Sequence, residues 1–338
     1  MGTRPGVSRA MWRRPNRPAE LQLQGSRDGP GPVNSSAMHA AVIRETGGPE
    51  VLRLEQIERP SPQEGEVLIR VHAAGVNAID WKFRRGYLEK QLPAILGSDV
   101  SGTVEASRAE GFSEGDEVFG LAASGAYAEF AVARAAVIAT KPDAVSHEQA
   151  AAIPVAGLTA WQALFDRGRL SHGQTALIAG AAGGVGHFAV QFAKHAGARA
   201  IGTGSSRNRD FVLGLGAERY VDYTREDVAS AVSGVDVAFD TVGGETTASL
   251  LTTVREGGIL VTIAGAPPER EALEGGVRAE LLVMSPTSKG LTEIAQLVAA
   301  GEVRPELAEV LPLTEVFRAH ELIESGHARG KIVLTVGA

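Results

Sequence analysis

An α/β protein in two parts is the fold this sequence predicts: a β-rich part first, then a doubly wound parallel sheet. Three observations predict it. From residue 38 to about residue 154, short apolar runs are separated by Gly, Pro and acidic turns. After Ala156 the strand and helix patterns alternate, the order that builds a parallel sheet. Within that alternation, Thr175-Ala176-Leu177-Ile178-Ala179 flows into Gly180-Ala181-Ala182-Gly183-Gly184-Val185-Gly186 and then a helical pattern over 187–196.

Each element follows from its local pattern. Residues 39–43, 66–71, 100–105, 117–119 and 127–132 are the strand candidates of the first part. In the second part they are 175–179, 199–203, 219–221, 235–240 and 258–264, with a helix near 292–300. Residues 331–336 read as a strand that returns to the first part. A chain of 338 residues suggests about two domains. The texture divides it into 38–156, completed by about 303–338, and 157–302. Residues 1–37 stand apart: Arg4, Arg9, Arg13, Arg14, Arg17 and Arg27 face only Glu20 and Asp28, with recurrent Pro and Gly. That composition predicts a disordered extension without a secretory h-region, either a leader or sequence upstream of a start at Met38.

Composition narrows the function. The 44% hydrophobic and 22% charged residues suffice for a large core. No apolar run of about 20 residues suggests a membrane span outside the glycine-broken 174–192 segment. A net charge of −7 argues against a nucleic-acid surface. The absence of cysteine removes disulfides, thiol catalysis and cysteine-built zinc sites, and suits a reducing compartment, taken as the cytoplasm. The eight histidines show no metal spacing, and His187 and His195 read as ordinary helix residues.

The glycine turn carries the chemistry. Strand, glycine turn and helix is the order a pyrophosphate needs, because glycines let the backbone approach and the helix start offers free N–H groups. Ala181-x-Gly183-x-x-Gly186 keeps the dinucleotide fingerprint with Ala181 in place of its first glycine, and a second strand follows. Gly180, Ala181, Ala182, Gly183, Gly184, Val185 and Gly186 are therefore candidate cofactor residues. An NAD site places an acid about 20 residues on. Here Gly204 is followed by Ser205, Ser206, Arg207 and Asn208, a set that suits a 2′-phosphate and predicts NADPH. One charge-assisted hydrogen bond of roughly 1.5–3 kcal/mol shifts such a preference about ten- to a hundred-fold. Tyr223 ends the third strand and is placed on adenine or the 2′-phosphate; Val242, Gly243, Ile263 and Ala264 end later strands, where ligands bind.

Over roughly 38–338 the chain resembles the medium-chain dehydrogenase/reductase superfamily, closest to its zinc-free quinone oxidoreductase branch. Gly75-Val76-Asn77-Ala78-Ile79-Asp80, Gly97-Ser98-Asp99-Val100-Ser101-Gly102, Gly115-Asp116-Glu117-Val118-Phe119-Gly120 and Gly125-Ala126-Tyr127-Ala128-Glu129-Phe130 carry the likeness. Gly157-Leu158-Thr159-Ala160-Trp161, the glycine turn, Phe239-Asp240-Thr241-Val242-Gly243-Gly244 and Ala328-Arg329-Gly330-Lys331-Ile332-Val333 complete it. The resemblance implies a GroES-like β-rich catalytic domain, a Rossmann NADPH-binding domain and a cofactor cleft between them. It puts Asn77, Thr159, Gly330 and Lys331 at the cofactor.

Zinc relatives ligate their metal through a cysteine and a His-Glu pair, where this chain has Asn77 and Ser98-Asp99. Asn and Ser are poor ligands, so no metal is expected. Hydride transfer then calls for a pre-activated acceptor, a quinone or a carbon–carbon double bond conjugated to a carbonyl. The catalytic candidates are Asn77, as a donor to the acceptor oxygen or the nicotinamide ribose; Lys82, as an enolate stabiliser or a solvated surface residue; and Asp80, as a catalytic group or the ion-pair partner of Arg84 or Arg85. Tyr127 reads as core and Trp81 as packing. The partner is a small-molecule quinone or enone, with an NADPH-binding structural protein or an enoyl-thioester reductase as alternatives. The resemblance further implies a homodimer paired through the apolar stretch 278–284.

Overall fold

The computed structural model describes residues 37–337, and their strands form three sheets. The extension expected over 1–37 lies outside the described residues except for Ala37, which opens the first strand. In chain order the first strands are β1 (Ala37–Ile43), β2 (Arg53–Glu58), β3 (Glu66–Val76), β4 (Ala94–Ile95), β5 (Asp99–Ser107), β6 (Glu117–Leu121), β7 (Phe130–Arg134) and β8 (Ile138–Thr140). Then come β9 (Thr175–Ala179), β10 (Arg199–Gly204), β11 (Arg219–Asp222), β12 (Val235–Asp240), β13 (Val254–Thr262) and β14 (Arg278–Leu281), and finally β15 (Leu307–Pro312) and β16 (Lys331–Thr335).

The first part is the GroES-like β domain. A small sheet runs β2-β1-β4, and a larger one runs β15-β16-β3-β5-β6-β8 with β7 also on β3. The apolar run of β3 buries Val67, Ile69 and Val71 in a core shared with Leu311, Leu313, Ile332 and Leu334 from the end of the chain. β16 lies antiparallel to β3, Ile332 opposite Val76, so the last strand does return to the first part. The strand expected over 127–132 is displaced to Phe130–Arg134, and Tyr127 before it is buried with its hydroxyl on Asp80.

The second part is a parallel sheet in the order β11-β10-β9-β12-β13-β14. Counted from β9 this is the Rossmann order, and its ligand crevice opens where β9 and β12 part. β9 is buried throughout, as a strand covered on both faces must be. Behind it the helix Gly186–His195 buries Phe188 and Phe192, with Trp161 edge-on to Phe192 at 5.3 Å. Truncating such an aromatic to alanine typically costs about 3–5 kcal/mol.

Candidate functional site

A cleft of about 1170 Å³ opens between the two parts, with Asn77 on one wall, the glycine turn on another and Gly330 with Lys331 on a third. The turn is shaped by close contact. Gly180 has φ +67°, in the left-handed region that favours glycine. A Cβ on Gly186 would lie 2.8 Å from Ala181 Cα, so glycine there lets the helix start pack onto the turn. Ala181 is tolerated in place of a glycine because Gly202 faces it; a Cβ on Gly202 would come within 2.9 Å of the Ala181 methyl. A Cβ on Gly183 would come within 3.3 Å of Gly180 O and one on Gly184 within 3.3 Å of Lys331 Cδ, so glycine keeps this part of the turn clear, and no side chain caps the helix. The turn thus has the room and the free backbone donors that a pyrophosphate requires.

At the other end lies the loop after β10. Gly204 stands where an acid is usual, and the Tyr220 hydroxyl fills the space a Cβ would take. Tyr220 donates to Ser205 O at 2.7 Å, and burial pushes its pKa up to about 12, which keeps that proton in place. The Ser206 hydroxyl donates to the Asp222 carboxylate and so does not aim its proton into the cleft. Ser205, Ser206, Arg207, Asn208 and Tyr223 all line the cleft, and Tyr223 and Val242 are among the exposed apolar residues.

Beside Asn77 the cleft ends in a buried polar cluster. Lys331 Nζ donates to Asn77 Oδ1, to Asp99 Oδ2 at 3.1 Å and to Val76 O at 3.2 Å. Asn77 Nδ2 donates to Asp99 Oδ2 at 2.9 Å, and the backbone N–H of Val155 donates to Asp99 Oδ1 at 2.9 Å. Asp99 therefore joins β3, β16 and the helix Pro154–Trp161, with its charge matched by Lys331. These partners fix the orientation of the Asn77 amide, oxygen toward the ammonium and nitrogen toward the carboxylate.

The structure brings together Asn77, Gly180, Ala182, Gly183, Gly184, Val185, Val242, Ile263, Gly330, Lys331 and the loop residues as cleft lining. Ala181, Gly186, Gly243 and Ala264 lie in or beside the same turns behind that lining. Asp80, Lys82 and Thr159 are not on it. Thr159 Oγ1 donates to Val155 O at 2.6 Å inside its own helix. Lys82 is partly exposed on the helix Ala78–Arg85. The ion pair of Asp80 with Arg84 or Arg85 is corrected. Asp80 is buried, accepting from Asn77 N at 2.8 Å, Tyr127 Oη at 2.9 Å and Gly97 N at 3.3 Å, and burial raises its pKa to about 6. Both arginines turn instead to Glu324.

Two residues play larger parts than their sequence context signalled. His187 is no ordinary helix residue. Its Nε2 accepts from Glu306 N at 3.2 Å, so its Nδ1 carries the proton donated to Gly183 O at 3.0 Å. Burial holds it neutral, with a pKa lowered to about 4. It thereby ties the glycine turn to the segment before β15, beside the bond from Gly330 N to Ala182 O at 2.9 Å. Arg329, between two lining residues but not itself on the lining, reaches the loop after β10: its Nε donates to Asn208 Oδ1 at 2.9 Å and its Nη2 to Arg207 O at 2.6 Å. Only the polar character of the closing motif hinted at Arg329.

The chain matches the family described as alcohol dehydrogenase GroES-like domain over residues 63–143 and that described as zinc-binding dehydrogenase over 215–334. It is 34% identical to the mouse mitochondrial NAD(P)H oxidoreductase RTN4IP1, with 90% of each chain covered. It is 32% identical to the tomato 2-methylene-furan-3-one reductase, covering 88% of this chain and 79% of that one. Among solved structures, the quinone oxidoreductase of Coxiella burnetii superposes with a TM-score of 0.85 at 36% identity, covering 89% of this chain and all of that one. The donor set does not fit the zinc of the second family description. The sequence has no cysteine, and Asn77 and Asp99 are already held by the Lys331 ammonium.

Proposed function

The chain belongs to the medium-chain dehydrogenase/reductase superfamily, among the quinone oxidoreductases, and from that premise we propose that it reduces a quinone or an α,β-unsaturated carbonyl with NADPH and without zinc. The observation that carries the reading is the Lys331–Asn77–Asp99 cluster in the cleft. It is a positive group fixed in place by buried partners, where zinc relatives hold a metal.

NADPH, when bound, supplies the hydride. The glycine turn would receive its pyrophosphate, the loop from Ser205 to Asn208 its 2′-phosphate, and Tyr223 with Val242 would flank its adenine. Asn77 and Lys331 would face the reacting end. An oxyanion or enolate forming there would meet an ammonium already oriented by Asp99 and Val76 O, and the Asn77 amide would present its second N–H. Loss of one such donor typically costs about 100- to 1,000-fold in rate. Asp80 holds the start of the helix Ala78–Arg85 through the Asn77 N–H and so positions Asn77. Oxidation of a simple alcohol would need a base or metal to take the hydroxyl proton, and the cluster presents a charged donor instead. In this reading residues 38–156 with 303–338 form the catalytic domain and 157–302 the cofactor domain, in a cytoplasmic homodimer. No helix among the described residues is long and apolar enough to cross a membrane.

Steady-state oxidation of NADPH against a quinone, a cyclic enone and an alkenal, with ethanol oxidation alongside, tests the proposal. Turnover of a quinone or enone well above that of ethanol is the expected result. Faster ethanol oxidation overturns it, and turnover of none of these acceptors favours a cofactor-binding protein.

A further inference from the structure

Arg329 belongs to the segment that leads into β16, yet its side chain lies on the loop after β10. Its flanking residues Ala328 and Gly330 line the cleft, as do Arg207 and Asn208, the residues it grips. The backbone beside it is held in place, since Gly330 N donates to Ala182 O at 2.9 Å and Lys331 N to Glu306 O at 2.7 Å. The guanidinium is thus set against the loop by its own two bonds and by the anchoring of its neighbours. Among the described residues its Nη1 makes no hydrogen bond, so those N–H groups remain for a ligand. A planar fork with spare donors matches a phosphate better than any other side chain does.

The local field calls for such a cation. Asp222 lies against Ser206, and the hydrogen bond from Ser206 leads the effects that hold its carboxyl below the usual range, so it stays charged. Asp222 is off the lining and meets Arg225 at 3.5 Å, whereas Glu226 and Asp227 line the cleft. Against these carboxylates Arg207 is the cation the loop itself brings to the lining. A 2′-phosphate, with about −1.5 to −2 charges near neutral pH as for other phosphomonoesters, would be poorly received by that balance.

We propose that Arg329 is a specificity-determining residue that supplies a second guanidinium to the 2′-phosphate of NADPH from across the cleft. Cofactor choice is then assembled by both domains, and the same contact straps the C-terminal segment to the loop when the phosphate is present. The inference rests on the NADPH reading above.

The test measures dissociation constants for NADPH and NADH by fluorescence on the full chain, as wild type, Arg329→Gln and Arg329→Lys. Arg329→Gln is expected to weaken NADPH about ten- to a hundred-fold while NADH changes little. Arg329→Lys should restore part of the loss, because charge returns without the fork. The NADPH constant of the wild type should also rise more steeply with salt than that of Arg329→Gln. An unchanged NADPH-to-NADH ratio in Arg329→Gln, whether both affinities fall or neither does, overturns the role of Arg329 and leaves the NADPH reading standing. A wild type without preference for NADPH overturns that reading itself, before any variant is consulted.

Discussion

Replacing Lys331 with methionine isolates the buried cluster, because the side chain keeps its approximate length and loses its charge. Lys331 and Asp99 are 2% and 0% exposed and lie 3.1 Å apart. Removing one partner of such a pair costs about 3–5 kcal/mol, since the other charge is left buried and uncompensated. Asp99 keeps its bonds from Asn77 Nδ2 and Val155 N, which places the cost near the lower end, about 3 kcal/mol. At about 2.1 cal/mol/K of unfolding entropy per residue over roughly 300 folded residues, that lowers the Tm by about 5 °C. Adding Asp99→Asn removes the stranded charge. The Asn77 amide, no longer held by the ammonium, can then turn to offer its oxygen to the new amide. The double variant should therefore recover much of the stability but not the turnover, because the donor at the reacting end stays absent. Thermal and urea unfolding of wild type, single and double variants, with NADPH titration of each, decides the matter. A Lys331→Met protein as stable as wild type, or a double variant no better than the single, refutes the account of a charge-matched cluster.

Acid should loosen the contact between the two parts. His187 has a folded pKa near 4 against an ordinary 6.5, so the unfolded chain takes the proton first and stability falls as pH drops from about 6.5 to 4. The contribution is about 3 kcal/mol, opposed by Asp80, whose raised value near 6 favours the folded state as pH falls from about 6 to 4. Urea unfolding at pH 7 and pH 4.5 should show a smaller acid loss in His187→Gln than in wild type; an equal loss rejects the assignment. Exhaustive chelation should leave reductase activity intact and elemental analysis should find no stoichiometric zinc; one zinc per chain, or activity lost on chelation, would be contrary. β14 lies at the end of its sheet with Leu281 and Val283 47% and 78% exposed, an apolar edge that self-pairing would cover. Light scattering should report a dimer that Val283→Asp weakens, and a wild-type monomer at micromolar concentration would rule this out.

The legible features were those made by neighbours in the chain. The glycine turn is strand, turn and helix in sequence, so its place in the sheet could be read from residue types alone. Even the departure at Ala181 has a near cause, Gly202 on the adjoining strand. The strands β2, β4, β8 and β15 were not anticipated: β4 and β8 are short, and β2 and β15 are largely exposed or half-buried, so none carries a strong apolar run. The site was less legible because its bonds join distant segments. Lys331 could be placed at the cofactor by resemblance, but its partner Asp99 is 232 residues away. Arg329 and Asn208 are 121 apart.

Asp80 shows how a local rule fails. Arg84 stands four residues on, the spacing of a helical ion pair. Asp80, however, sits at the start of its helix, where a carboxylate is favoured against free N–H groups and the positive end of the dipole. The N–H groups of Asn77 and Gly97 and the hydroxyl of Tyr127 claim its oxygens there, while Arg84 finds Glu324, His320 and Gly47 O. Separating the two charges serves the site better than pairing them would. The carboxylate fixes where Asn77 enters the cleft, and Arg84 anchors the same helix to the helix Val316–Glu324, whose trailing residues Gly326, His327 and Ala328 line the cleft wall. Asn77 and the lining segment Gly326–Ala328 are thus held by one helix.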